Sequence, residues 1–174
     1  MQRKMRKPAL ILPMVLALVS GSCNPFAPGL DSGLSTTSIF GDPTTIDGVF
    51  QNIAHAYTFR DTSIYGPLVN ANFAFVFRDY DRGVDVSWGR DEELRTTSGL
   101  FQAAQRLDLV WNNIVTLSTD SAGTKANITR NFNLTVTFNP SDVIRVDGYA
   151  NFAFERLDPS NPWKIVRWQD QSNF

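Results

Sequence analysis

The sequence contains few of the residues from which metal sites and nucleophilic sites are built. Its 174 residues include one cysteine, Cys23, and one histidine, His55. A single cysteine excludes an intramolecular disulfide, and a metal site needs several convergent histidine, cysteine or carboxylate ligands. Glycine-rich phosphate loops and the Gly-x-Ser-x-Gly motif are also missing. We therefore expect no metal, no cofactor and no catalytic residue of these kinds.

Basic residues are scarce outside the N-terminus. Four of the 16 Lys and Arg residues lie in Met1–Lys7, which leaves 12 against 17 acids and a net charge of −5. A nucleic-acid-binding protein needs a basic patch or stripe to meet the phosphate backbone. The sequence therefore predicts no nucleic-acid partner.

The N-terminus has the three parts of a secretory signal. The basic residues up to Lys7 are followed by an apolar run, Ala9–Val19, and then by the small residues 20–22. The run is shorter than the roughly 20 residues that a membrane-spanning helix needs. We predict a cleaved signal peptide over residues 1–22, and the alternative is an uncleaved N-terminal anchor helix.

The segment around Cys23 resembles a bacterial lipobox. Gly21 and Ser22 fit that pattern, whereas Ser20 stands where leucine is usual. The resemblance implies that Cys23 is lipidated and becomes the mature N-terminus. Several acyl chains would hold the protein stably on a membrane, where one chain is marginal. We expect a lipid-anchored protein of the bacterial cell envelope, facing the periplasm or the surface.

The remaining chain divides into a tether and one domain. Residues 24–41 are rich in Pro, Gly, Ser and Thr and have no apolar period, which is typical of a flexible linker. The mature part has about 150 residues, a length that suits a single domain. We predict a lipidated cysteine and tether over residues 23–41 and a folded domain over residues 42–174.

Apolar periodicity predicts helices first and strands afterwards. Ile46, Val49, Ile53 and Tyr57 recur at helical spacing, so we expect a helix that Asp42 or Thr44 caps and that ends near Phe59. Further helices are predicted over 62–68 and 91–101, a strand over 73–77 and a turn over 79–83. After these the period is two, and we predict strands over 107–117, 126–138, 143–157 and 163–170. This segregated order predicts an α+β fold.

Arg130 is out of place in the alternating pattern. Strand alternation puts it on the apolar face, between Ile128 and Phe132, where an unpaired charge would be costly. Asp170 falls on the same face as Val166 and Trp168 of the last strand, and it could compensate the charge. Alternatively, Arg130 lies at a frayed edge of the sheet and extends to water.

The order of the elements resembles the nuclear transport factor 2-like superfamily, which includes SnoaL-like cyclases and ketosteroid isomerase. The resemblance covers about residues 44–171. Three segments carry the resemblance. They are the strand 73–77, the run Ser87-Trp88-Gly89-Arg90 that leads into Glu92-Glu93, and the closing Trp-x-Ile-x-x-Trp-x-Asp of residues 163–170. The resemblance implies an α+β cone (cystatin-like roll), with three helices packed on a curved, mostly antiparallel sheet. This fold carries enzymes, transport factors and binding modules.

The candidate ligand pocket is the mouth of that cone. We predict that aromatic and polar residues line it: Tyr57, Tyr65, Trp88, Trp111, Arg130, Trp168 and Asp170. Helical geometry places His55 opposite the apolar stripe, facing solvent. Asp79, Asp81 and Asp85 are interpreted as turn formers rather than calcium ligands. Isomerase chemistry would need a carboxylate base, but no Asp or Glu lies in mid-strand on the inner face, since Asp147 and Glu155 fall on the opposite face.

Three functions remain open at this point. The leading hypothesis is an envelope lipoprotein whose cone domain binds a small apolar ligand or a protein partner without catalysis. The first alternative is a SnoaL-like isomerase, cyclase or dehydratase that acts on a hydrophobic molecule. The second is a structural module that forms a homodimer. The interior of the cone distinguishes them, because a cavity with two titratable groups favours the enzyme and a filled interior favours the module.

Overall fold

The computed structural model describes residues 39–173, without the side chain of Asn173. These residues belong to one compact unit. The predicted signal peptide, Cys23 and residues 24–38 of the predicted tether lie outside the described residues. None of the helices within residues 39–173 has the length and apolar character needed to cross a membrane.

The helices lie close to their predicted positions. Helix α1 spans Ile46–Phe59, α2 spans Thr62–Tyr65 and continues as a 3-10 turn, Gly66–Leu68, and α3 spans Arg90–Ala103. The cap of α1 differs from the prediction, because Thr45 accepts the hydrogen bond from the Gly48 amide at 3.0 Å. Asp42 closes the preceding turn instead, by accepting from the Thr44 amide.

Two features hold residues 41–48 in place at the start of α1. The buried side-chain amide of Asn52 accepts from the Gly41 amide at 2.8 Å and donates to the Gly41 carbonyl at 2.9 Å. Gly48 approaches the backbone of Asp42 so closely that a Cβ there would lie 1.9 Å from the Asp42 carbonyl oxygen. The last residues of the predicted tether are therefore packed on the domain.

Six strands form one sheet within the described residues. They are β1 Val69–Asp79, β2 Val84–Gly89, β3 Arg106–Thr119, β4 Lys125–Asn139, β5 Asp142–Glu155 and β6 Lys164–Asn173. The order is β2-β1-β6-β5-β4-β3, and β1 and β6 are the only parallel neighbours in this sheet. The short strand β2 was not predicted from the sequence.

A bulge in β6 changes the predicted face of one residue. Ala153 pairs with Arg167 and Phe154 with Ile165, so the register shifts at Val166. A bulge of this kind turns the next side chains to the other face. As a result Ile165 and Trp168 are both buried. Simple alternation placed Val166 on the inner face with Trp168, and the bulge removes it from that face.

One face of the sheet is apolar and the helices cover it. Helix α1 packs on β3, and α3 packs on β1 and β2. Large side chains from α1 and from the central strands meet in a single core, among them Phe50, Ile53, Ile128, Phe152, Phe154 and Ile165. Their burial is the main stabilising term, at about 1.5–3 kcal/mol for each side chain. The predicted α+β fold, with three helices on a curved and mostly antiparallel sheet, is confirmed.

Candidate functional site

A cavity of about 350 Å³ lies between the apolar face of the sheet and the helices α1 and α3. Most of its wall is apolar: Phe75, Trp88, Leu100, Leu109, Phe132, Leu134, Val136, Phe138, Ile144, Val146 and Trp168. The polar lining residues are Tyr57, Glu93, Thr96, Thr97 and Asp170. Binding sites for small molecules have this composition, with an apolar wall and a few convergent polar groups.

Strand register builds one aromatic wall of the cavity. Phe75 of β1 is the direct partner of Trp88 on one side and of Trp168 on the other. The Phe75 and Trp88 rings are stacked with centroids 4.5 Å apart, and Trp168 meets Phe75 edge to face at 5.6 Å. Because such pairs are favourable beyond their area burial, this wall is held in place before any ligand arrives.

Glu93 is the functional-site residue that sequence reasoning missed. It stands in the first turn of α3, where three acids match the helix dipole, yet only 4% of it is exposed. Its carboxylate accepts hydrogen bonds from the Tyr65 hydroxyl at 2.6 Å, from Trp88 Nε1 at 2.8 Å and from Thr97 Oγ1 at 3.0 Å. One signal in the sequence could have indicated that Glu93 is buried. It adjoins the side of α3 that carries Leu94, Thr97 and Phe101.

Asp170 and Tyr57 are the other two ionisable residues of the cavity lining. Burial raises the pKa of the Asp170 carboxyl, although hydrogen bonds from the amide and hydroxyl of Ser172 act against this. Burial also raises the pKa of Tyr57 well above its ordinary value, and the negative charges of Glu93 and Asp170 add to the effect. Tyr57 is therefore a neutral phenol, and its hydroxyl has no hydrogen-bond partner among the described residues.

Four of the seven predicted pocket residues line the cavity, namely Tyr57, Trp88, Trp168 and Asp170. Tyr65 is fully buried beside it and supports Glu93. Trp111 and Arg130 line a separate cleft together with Phe50. The structure thus brings four of the predicted residues together at the cavity and places Trp111 and Arg130 outside it.

The predicted pairing of Arg130 with Asp170 is wrong. Ala150 of β5 pairs with Arg130 on one side and with Asp170 on the other, so the two charged residues share a face but lie two strands apart. Two strand spacings amount to about 10 Å. The frayed-edge alternative is also wrong, because Arg130 lies within β4 and is paired with Ile114 as well.

His55 does not face open solvent as predicted. It is half-buried between the rings of Phe40 and Phe59, each with its centroid 6.0 Å away. The residues before α1 fold back over this side of the helix, which helical periodicity could not show. Within residues 39–173 no group of three or more His, Cys, Asp or Glu residues could hold a metal ion.

Comparison with known proteins supports the fold alone. No family model matches the sequence, and no curated protein is detectably similar to it. A conserved protein from Planctomyces limnophilus is similar in structure, with a TM-score of 0.62 and 16% identity over 74% of this chain and 93% of that chain. A proposed dehydratase of the NTF2-like family from Streptomyces avermitilis has a TM-score of 0.55 and 16% identity, over 70% of this chain and 88% of its own.

A third similar structure is a proposed scytalone dehydratase from Novosphingobium aromaticivorans. Its TM-score is 0.59 and its identity 13%, and the match covers 74% of this chain and 82% of that chain. The domain therefore has the nuclear transport factor 2-like fold, as the resemblance implied. At these identities the likeness carries no activity to this chain.

The first prediction concerns the buried carboxylate. Replacing Glu93 by Ala leaves the donors of Tyr65, Trp88 and Thr97 without their acceptor, and each unsatisfied donor costs about 1–3 kcal/mol. We expect Glu93→Ala to lower the free energy of unfolding by about 3 kcal/mol or more in urea titrations. The neighbouring variant Glu92→Ala, at an exposed ion pair with Arg95, should change it by less than about 0.5 kcal/mol. Equal effects of the two substitutions on the free energy of unfolding would contradict the assignment of Glu93 as the buried carboxylate.

The second prediction follows from the raised pKa of Asp170. A carboxyl whose pKa is higher in the folded than in the unfolded state stabilises the fold below the unfolded-state pKa, and this contribution is lost as the pH rises through the folded-state pKa. Asp170→Asn cannot ionise, so it should be more stable than the wild type at pH 7 and lose this advantage at pH 3. Thermal unfolding between these pH values measures it. Asp147→Asn, on the exposed face of β5, is the control and should show no such gain.

Proposed function

We propose that this domain, which has the nuclear transport factor 2-like fold, binds one small hydrophobic molecule in the cavity between the sheet and α1 and α3. The observation that carries the proposal is the cavity itself, a space of about 350 Å³ with a mostly apolar lining and a few polar side chains. This volume lies within the range of roughly 300–1,000 Å³ that ligand pockets occupy. An unfilled interior of this kind favours ligand binding over the purely structural module.

The charges of the cavity restrict the ligand. Among its described lining residues none is Lys, Arg or His, whereas two are acidic. The three hydrogen bonds of Glu93 occupy its carboxylate, so Asp170 and the hydroxyls of Tyr57 and Thr96 are the groups left for a ligand. An anionic ligand would meet two like charges in a poorly solvated space. The ligand is therefore neutral or cationic and carries a hydrogen-bond donor at one end.

The third prediction tests the cavity by filling it. Leu134 lines the cavity from β4, while its neighbour Asn133 is exposed on the other face of the same strand. We expect the neutral fluorescent probe N-phenyl-1-naphthylamine to bind the wild type, and Leu134→Trp to weaken it by about tenfold or more, equivalent to about 1.4 kcal/mol. Asn133→Trp should leave the affinity unchanged. Equal binding by both variants would place the probe elsewhere and refute the cavity as the site.

Identifying the natural ligand requires protein that has been purified from the cell envelope of the organism that makes it. Native mass spectrometry of such a preparation reports the mass of a bound molecule and the number of subunits in one measurement. A neutral or cationic small molecule in one-to-one ratio supports the proposal. The predicted homodimer is tested by the same spectrum.

Acid–base catalysis on the bound molecule is the second candidate function. It is favoured by Asp170, a cavity carboxyl whose burial raises its pKa towards neutrality, and by the protonated Tyr57 that faces the same space. A carboxylate shifted in this direction is a better general base, and a neutral phenol can donate a hydrogen bond to a developing oxyanion. Two of the similar structures are proposed dehydratases, which makes proton abstraction followed by loss of water a reaction worth assaying.

The fourth prediction separates binding from catalysis. If Asp170 is a general base, Asp170→Asn should slow conversion of the co-purified ligand by about 10²–10⁴-fold, while affinity for N-phenyl-1-naphthylamine stays within about threefold of the wild type. Conversion is followed by proton NMR of the ligand. A ligand that the wild-type protein leaves unchanged over days would eliminate this candidate and retain the binding function.

We further propose that the chain is an envelope lipoprotein, anchored through Cys23. The sequence of residues 1–23 supports this, through its basic start, its short apolar run and its small residues before the cysteine. The fifth prediction is that intact mass shows a diacylglyceryl-modified Cys23 at the N-terminus and that the protein partitions into detergent. Cys23→Ser should abolish both. Partitioning that survives this change would indicate the uncleaved anchor helix.

A further inference from the structure

A second cleft, of about 410 Å³, lies outside the cavity described above. It is formed where α1 crosses β3 and β4, and it is lined by Asp47, Phe50, Gln51, Ala54, Trp111 and Arg130. None of these residues lines the apolar cavity. Phe50 lines only this cleft, and its ring also packs against Phe152 and Phe154 in the core.

Arg130 is held in this cleft by contacts that leave most of its donors unused. Its Nε donates to the Asn112 carbonyl oxygen at 2.8 Å, and its guanidinium carbon lies 4.8 Å from the centre of the Phe50 ring. Only 17% of the side chain is exposed. Among the described residues no atom accepts a hydrogen bond from either Nη nitrogen. The guanidinium is therefore held in one position while its two Nη nitrogens remain available to a ligand or to water.

Asp47 is the nearest carboxylate, and it does not complete the arrangement. Its Oδ1 lies 3.6 Å from Arg130 Nη1, which is beyond hydrogen-bond length, and its side chain is 75% exposed. An ion pair of this kind contributes little because water competes for the exposed partner. Asp47 therefore partly screens the charge of Arg130 without occupying its donors.

Trp111 provides a second unsatisfied donor in the same cleft. Its ring packs edge to face on Phe50 at 4.9 Å, and its buried Nε1 has no acceptor among the described residues. Buried donors without partners are uncommon in native proteins and call for an explanation. The cleft thus presents the Nη donors of Arg130 beside Ala54 and the Trp111 ring.

We propose that this cleft binds a small organic carboxylate, with its oxygens on the Nη donors of Arg130 and its apolar body against Trp111 and Ala54. The planar guanidinium matches a carboxylate in a two-pronged geometry. Asp47 argues against a phosphate, because its negative charge repels a dianion more strongly than a monoanion. The ligand of this cleft is thus an anion, whereas the cavity suits a neutral or cationic molecule. The proposal does not depend on the function of the cavity.

The test uses benzoate and the full-length protein. Titration is followed by the NMR signals of Arg130 Nε–H and Trp111 Nε1–H, and benzyl alcohol and inorganic phosphate serve as the comparison probes. We expect benzoate to shift both signals with saturation, and both comparison probes to bind more weakly by about tenfold. Stronger binding of phosphate, or equal binding of benzyl alcohol, would overturn the assignment to a carboxylate.

Substitutions of Arg130 and of Asp47 should change benzoate affinity in opposite directions. Arg130→Met should abolish saturable benzoate binding, and Arg145→Met, which removes an exposed arginine from β5, should leave it unchanged. Asp47→Asn removes the competing carboxylate at an exposed position, so benzoate should bind about two- to fivefold more tightly. Weaker binding by Asp47→Asn would refute the proposal even if Arg130→Met fails to fold. Leu134→Trp should have no effect on benzoate, which distinguishes this cleft from the cavity.

Discussion

The apolar face of the six-stranded sheet is the constraint on which the rest of the domain depends. Such a face must be covered, and the two long helices cover different parts of it, α1 over β3 and α3 over β1 and β2. The central strands between these contacts supply much of the cavity wall, including Phe132 and Leu134 of β4 and Val146 of β5. The cavity is therefore the part of the face that two helices of this length leave uncovered.

Polar groups enter this apolar region only where they are supported. Glu93 is tolerated because Tyr65, Trp88 and Thr97 supply three donors, and the same bonds join α2, β2 and α3 at one end of the cavity. Asp170 has support only from its neighbours Gln171 and Ser172, which does not offset the cost of burying its charged form. Of the two carboxylates, the first holds the site together and the second is available for a ligand.

Periodic features were predictable from the sequence, whereas features that depend on which elements become neighbours were not. The stripe of α1 and the alternation of β4 defined the elements and their inner faces correctly. The face of Arg130 was also correct, but its partner was wrong because alternation does not reveal that β5 lies between β4 and β6. Glu93 was not predicted as a site residue, since three consecutive acids conceal the one that is buried. Strand β2 is short and half exposed, so it gave too weak a pattern.

The position of β6 affects how the domain can be made. The strand nearest the C-terminus lies inside the sheet, between β5 and the much earlier β1, and its pairing with β1 joins the hairpin of β1 and β2 to the meander of β3 to β5. A nascent chain that stops before residue 164 would have two separate groups of strands and no continuous sheet. Formation of the sheet must therefore wait until synthesis has passed this strand, and contacts so distant in sequence form slowly.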